Sequence, residues 1–239
     1  MHHFSYVPKK EAAPYKEKVI ELINAVQDEV RDYFTFRFDF VGSSSRNMIT
    51  CERNGNIGYD FDVNIEPNDP EEEYSPEEIR TIIFNAFKKH MRRFGYSKIE
   101  NSTSVISIKA VDRKNKRIEH SCDFAIVYNC EDGRQKYIRF CKSSFSFCWE
   151  YRSNGYYIAE KLKWIKDNRL IPELRERYLC NKNHNNDPNK HSRTLFAESV
   201  NQIYDEYSLL RQPLSRYATC SAYDLIQLFT KQKPIANSK

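Results

Sequence analysis

Asp60 and Asp62 flank Phe61 in the run Tyr59-Asp60-Phe61-Asp62-Val63. If that run is a strand, both carboxylates leave it on the same side, with Cα atoms roughly 7 Å apart. Two carboxylates so placed repel each other unless a cation lies between them. Mg²⁺ suits such a pair, because it takes one or two carboxylates together with substrate phosphates. Phe61 and Val63 point the other way and can anchor the strand in a core. Upstream, Gly42-Ser43-Ser44-Ser45 is a turn of small residues. Gly42 permits close backbone approach, and Ser43 and Ser44 offer hydroxyls and N–H groups of the kind that cradle phosphate oxygens. Arg46 follows within reach of such a phosphate. The GxxxxGK[ST] spacing of a P-loop is absent.

A third carboxylate, Asp123, interrupts an apolar run that continues through Phe124, Ile126 and Val127. An unpartnered aspartate inside a strand core is costly, so Asp123 calls for a metal, an arginine or a hydrogen-bond donor. Glu119 shares its face. Each feature also has an ordinary counterpart. A chain with 33 acidic residues contains D-x-D by chance. A serine turn can simply cap a helix, Asp123 could reach solvent at a strand end, and Arg46 could be a surface arginine.

The elements that must hold these residues show as patterns. Val19, Leu22, Ile23, Val26 and Val30 recur at helical spacing and predict a helix over 14–33. Phe34, Phe36, Phe38 and Phe40 alternate with polar residues as a half-buried strand, and 57–65 reads as a second. Ser75-Pro76-Glu77-Glu78 carries a capping box and opens a helix that Gly95 ends. Two strands joined by a charged turn at 112–116, and a third over 134–141, complete an α+β order. Phe145, Phe147, Trp149 and Tyr151 alternate and read as a core strand face.

Beyond Cys148 the pattern is helical: one helix around Ile158, Leu162 and Ile165, and a short one over 173–179. A polar loop over 180–192 precedes a helix with Phe196, Val200 and Ile203. A last helix, capped by Ser221, carries Leu225, Ile226 and Phe229. The expected fold is a mixed β-sheet flanked by helices, with a helical C-terminal lobe. The boundary falls near Ser153-Asn154-Gly155, giving a core over 1–152 and a lobe over 153–239. Tyr156 and Tyr157, at that boundary, are placed to stack on a base. Lys161, Lys163 and Lys166 suit either a charged helix face or phosphate contacts. Cys180, His184 and His191 match no closed four-ligand zinc spacing.

The 239 residues, 30% charged and 14% aromatic, suffice for one large domain or a domain with a smaller lobe. A net charge of +5 leans towards anionic partners such as nucleotides or RNA without requiring them. Seven cysteines without a CxxC pair predict reduced thiols and a cytoplasmic protein. The N-terminal residues lack the apolar core of a signal peptide, and no apolar run is long enough to span a membrane, so no membrane partner is expected.

Taken jointly, the turn Val41-Gly42-Ser43, the strand Asp60-Phe61-Asp62-Val63 and the strand Cys122-Asp123-Phe124 resemble the DNA polymerase β-like nucleotidyltransferase superfamily. Its pattern is hydrophobic-G-[GS], then [DE]-h-[DE]-h, then h-[DE]-h. The likeness in motif and element order spans roughly residues 14–150. The chain departs from the pattern in two places: the gap between Ser43 and Asp60 is lengthened, and Arg46-Asn47-Met48 stands where R-G-T is frequent. The resemblance implies an enzyme that moves an NMP from an NTP, ATP among the candidates, to an acceptor with release of pyrophosphate. It implies two Mg²⁺ ions, with Mn²⁺ as a substitute, on Asp60, Asp62 and Asp123, which are then also the catalytic residues. It places the nucleotide on Gly42, Ser43, Ser44 and Arg46. The acceptor in such enzymes is a small molecule, a nucleotide, RNA or a protein. The alternative is an inactive module of the same fold that binds nucleotide or RNA.

Overall fold

The computed structural model describes residues 2–52, 55, 57–69, 72–152 and 156–210. The chain begins with β1 (Phe4–Tyr6), α1 (Lys9–Val30), β2 (Thr35–Val41), a single helical turn α2 (Gly42–Ser45), β3 (Thr50–Glu52), β4 (Ile57–Asn68) and α3 (Pro76–His90). A 3-10 turn over Met91–Phe94 leads to β5 (Lys98–Asn101), β6 (Ile106–Asp112), β7 (Arg117–Asn129), β8 (Gln135–Cys141) and β9 (Ser146–Tyr151). Three helices follow: α4 (Tyr156–Asp167), α5 (Ile171–His184) and α6 (Ser192–Leu210).

The main sheet runs in the order β2-β4-β7-β6-β5, and β8 extends it from the end of β7 to β9. All its pairings are antiparallel except that of β4 with β7. The chain reaches β7 from β4 through α3, β5 and β6, long enough for the crossover a parallel pair requires. Alternation then assigns the two faces. Phe61, Val63 and Ile65 of β4, with Cys122, Phe124 and Ile126 of β7, are buried in a core shared with Val19, Leu22 and Ile23 of α1 and Ile83 and Phe87 of α3. Asp60, Asp62 and Asn64, with Ser121, Asp123 and Ala125, take the opposite face. A second apolar cluster joins Ile165, Leu174, Val200 and Ile203 of the C-terminal helices, and Leu170 between α4 and α5, to Met48 after α2.

Local signals act as expected at α3. The Ser75 hydroxyl accepts from the Glu78 N–H, and the Glu78 carboxylate accepts from the Ser75 N–H. Gly95 closes the following turn with a left-handed φ of 90°.

Elsewhere the structure corrects the expectations. Helix α1 begins at Lys9 and carries Pro14 in its second turn, where the missing N–H leaves the Lys10 carbonyl without its helical donor. Helix α5 continues to His184, so the first part of the expected polar loop is helical. Phe145 lies in the β8–β9 turn, at φ 51° and 84% exposed, so the aromatic strand face is core only at Phe147 and Trp149. The thiols are not all reduced: Cys141 and Cys148 form a disulfide across the β8–β9 hairpin, while Cys51, Cys122, Cys130 and Cys180 are free. The helix expected after Ser221 and the boundary at 153–155 lie outside the described residues. Among the described residues no helix is long and apolar enough to cross a membrane.

Gly58 fixes how closely β4 approaches β7, because a Cβ there would collide with the Glu119 carbonyl group on β7. Gly58→Ala should therefore destabilise the fold by about 1–3 kcal/mol, the usual range for overpacking. A urea titration would show this as a lowered midpoint; an unchanged midpoint would mean the two strands can part without loss.

Candidate active site

The parallel register sets Asp62 directly beside Asp123, and Asp60 beside Ser121. Neighbouring strands lie about 4.8 Å apart, so three carboxyl groups share a small area of one sheet face. On the outer strands, Val41 pairs with Asp62 and Ser107 with Asp123, which completes a row Val41-Asp62-Asp123-Ser107 across the sheet. The Ser121 hydroxyl donates to Asp60 Oδ1, and the Ser107 hydroxyl donates to Asp123 Oδ1 at 2.5 Å. Both serines are buried and serve as the internal donors that hold the two aspartates.

Gly42 is the hinge between this face and the turn. Its φ is +66°, and a Cβ built on it would strike the Asp62 carboxylate. Only glycine meets both demands. Of the serines that follow, Ser44 donates to the Val41 carbonyl at 2.9 Å and Ser45 to the Gly42 carbonyl at 3.0 Å. Ser43 lines the cavity that holds the carboxylates, whereas Ser44 does not. Arg46 also lines it, its guanidinium 4.1 Å from the Phe196 ring centroid on α6 and its Nε buried without a partner.

The cavity measures ≈ 1000 Å³. Its floor is the acidic face of the sheet; Tyr178 and Lys182 of α5, Phe196 of α6 and Leu162 of α4 form much of the opposite wall. Arg152, after β9, enters from the side, donating to Gln135 Oε1 at 2.7 Å. The sequence motifs gave no hint of Lys182 or Arg152. Nothing in their local sequence distinguishes them, and only the packing of α5 and the β8–β9 hairpin brings them here. Glu119, the alternative third carboxylate, lies away from the trio beside a smaller cavity with Glu52.

Electrostatics follow from this crowding. Burial, then the charges of Asp123 and Asp62, push the Asp60 carboxyl up to about 6, with Lys182 and Lys109 pulling the other way. Asp60 is exposed by accessible area, but the surface it offers is the cavity floor. Burial and then Asp123 raise Asp62, against Arg46 and Arg152. Burial raises Asp123, eased by its bond to Ser107. Burial lowers Arg46, Arg152 and Lys182.

Among the described residues no three His, Cys, Asp or Glu side chains stand arranged to hold a metal ion; Asp60 and Asp123 each accept from a serine instead. The donors nonetheless fit a hard cation. Three carboxylates face one cavity, each raised in pKa by burial, and Asp60 and Asp62 also by neighbouring carboxylates, a cost that a cation would relieve.

Asp60 binds a proton more readily in the folded chain than in the unfolded one, where its value is near 3.8. Its contribution to stability is therefore fully present below about pH 4 and is lost as pH rises through about 6. Asp60→Asn keeps an oxygen for Ser121 and removes the charge. It should raise the thermal midpoint at pH 7.5 by about 2–4 °C, and the gain should fade towards pH 4. Melting curves across that range would check it, and a lower midpoint at pH 7.5 would contradict it.

No protein-family model matches the chain, and no curated protein matches it in sequence. Solved structures do match. The chain is similar to Vibrio cholerae DncV in its 3′-deoxy ATP bound form, with 18% identity over 84% of this chain and 53% of that one and a TM-score of 0.53. It is similar to the GTP bound form of the same protein, with 18% identity over 84% and 53% and a TM-score of 0.50. Escherichia coli DncV in its 3′-deoxy GTP bound form gives 16% identity over 87% of this chain and 55% of that one, with a TM-score of 0.50. The chain spans about half the length of these proteins. With its mixed sheet, its glycine-serine turn against the acidic strands and its C-terminal helices, the chain shares the fold of DncV.

Proposed function

We propose that this chain is a metal-dependent nucleotidyltransferase. An acceptor hydroxyl attacks the α-phosphorus of an NTP, the bond from that phosphorus to the bridging oxygen breaks, and NMP passes to the acceptor while pyrophosphate leaves. One observation carries the reading: Asp60, Asp62 and Asp123 converge from two parallel strands on a cavity floor, against a glycine turn that only glycine can make. The 3′-deoxy ATP and GTP bound forms of DncV lend it support.

Asp60, Asp62 and Asp123 would hold two Mg²⁺ ions, with Mn²⁺ able to replace them. When bound, the ions supply positive charge against the phosphates and acidify the acceptor hydroxyl. The chain's own residues do the rest. Ser43, which lines the cavity, donates its hydroxyl to a phosphate oxygen, and Arg46 offers its unpartnered Nε to another. Lys182 and Arg152 meet anionic groups from the two sides of the carboxylates, next to Asp60 and Asn64 respectively. Asp123, its Oδ1 held by Ser107, takes the acceptor's proton on its other oxygen. Charge on the transferring phosphoryl group is thus met by donors fixed in advance, so catalysis is positioning and electrostatics. We assign the core to residues 1–152 and the enclosing helical lobe to 153–239, in keeping with the second apolar cluster, most of which comes from α4–α6.

The test is pyrophosphate release from each NTP with a panel of hydroxyl acceptors and Mg²⁺. Wild-type turnover should exceed that of the Asp60→Ala, Asp62→Ala protein by at least about a hundredfold. No turnover by either, with NTP still bound by calorimetry, would instead establish an inactive nucleotide-binding module. A second prediction concerns the turn. Gly42→Ala should lower kcat by more than about tenfold, because the new methyl displaces the Asp62 carboxylate. Steady-state kinetics at a fixed thermal midpoint would read this, and unchanged kcat would show that Asp62 need not stand where it does.

A further inference from the structure

Strand β1 is separate from the main sheet. It pairs with β3, Phe4 opposite Glu52 and Tyr6 opposite Thr50. Its other edge is taken by a side chain. The Phe4 N–H donates to Asn183 Oδ1 at 2.6 Å, and Asn183 Nδ2 donates to the Phe4 carbonyl at 3.2 Å. An asparagine amide thus stands in for a neighbouring strand. Two turns earlier on α5, the Tyr6 hydroxyl donates to the Arg175 carbonyl at 2.7 Å, and the Arg175 guanidinium lies 4.0 Å from the Tyr6 ring centroid. Arg175 also donates to the Asn47 carbonyl just after the serine turn. Residues 4–6 therefore strap α5 to β3 at two points along the helix.

Lys182 sits within this strap. On α5 it follows Arg175 and Tyr178 at positions that share one face. Its ammonium stands 4.4 Å from the Phe4 ring centroid and donates to Thr50 Oγ1 at 2.6 Å. Among the described residues it forms no ion pair. An ammonium has three protons to donate, so two remain for a ligand in the cavity that Lys182 lines. The Phe4 face and Thr50 fix the direction in which those two point.

Building on the nucleotidyltransferase reading, we propose that β1 is a positioning element: Phe4 and Asn183 aim Lys182 at the phosphate chain of the bound NTP. Phe4 touches no substrate and acts through the ammonium. A strap of this kind predicts coupling between Phe4 and Lys182 that is felt by phosphates and not by the nucleoside.

The experiment is calorimetry on the full chain with Mg²⁺, using the tightest-binding of the four NTPs and its parent nucleoside. Phe4→Leu keeps an apolar side chain without the ring face, Phe4→Tyr keeps the ring, and Lys182→Met removes the charge. Phe4→Leu should weaken NTP binding about tenfold while Phe4→Tyr stays within about twofold. Phe4→Leu combined with Lys182→Met should bind no worse than Lys182→Met alone, and nucleoside affinity should be unchanged throughout. Additive losses, equal losses for NTP and nucleoside, a Phe4→Tyr protein as weak as Phe4→Leu, or an unaffected Phe4→Leu protein would each overturn the inference and leave the parent reading standing. A wild-type chain that binds none of the NTPs would overturn both.

Discussion

Three carboxylates placed within one or two strand spacings of each other constrain almost everything else in this molecule. Like charges in a concave, partly desolvated site are unfavourable, and the raised pKa values of Asp60, Asp62 and Asp123 express that cost. The fold opposes it from both sides. Below, the alternate residues Phe61, Val63, Cys122 and Phe124 are buried, so neither strand can turn its acidic face away without exposing its core face. Above, Ser121 and Ser107 donate to two of the three carboxylates, and Lys109, Lys182, Arg46 and Arg152 lend positive charge from the edges.

The same constraint accounts for the surroundings. The parallel register of β4 and β7 puts Asp62 level with Asp123, and a parallel pairing needs a long crossover, which α3, β5 and β6 supply. The close approach of β4 to β7 leaves no room for a side chain at Gly58, and the close approach of the turn to Asp62 leaves none at Gly42. The C-terminal helices close the space over the acidic floor, and β1 and Arg175 tie α5 to β3 and to the segment after the serine turn. A site that gathers like charge is therefore held by elements drawn from most of the described chain. Such an arrangement favours use over stability, since removing one charge is expected to stabilise the protein.

Much of this was legible in the sequence, for reasons that differ by residue. The side on which Asp60 and Asp62 stand follows from a period of two, and the start of α3 follows from reciprocal hydrogen bonds within four residues, Ser75 to Glu78. Asp123 was conspicuous because a charge in an apolar run demands a partner. What could not be read depends on distant pairing. Strands β1 and β3 have three residues each and exist only because they meet each other. Ser107 and Ser121 are unremarkable until register sets them beside aspartates. Lys182 fell in what looked like a polar loop, because α5 is amphipathic only weakly and is held by Leu174 and Tyr178 packing on other elements. Ser44 looked equivalent to Ser43 until the turn sent its hydroxyl back to Val41.

The central claim is that the three carboxylates form one cation-binding unit beside the Gly42 turn. Mn²⁺ titration of the full chain, followed by electron paramagnetic resonance in the presence of a non-hydrolysable NTP analogue, tests it directly. The account predicts bound Mn²⁺ whose affinity falls sharply on Asp62→Asn and on Asp123→Asn alike. Equal Mn²⁺ binding by wild type and both variants would contradict it.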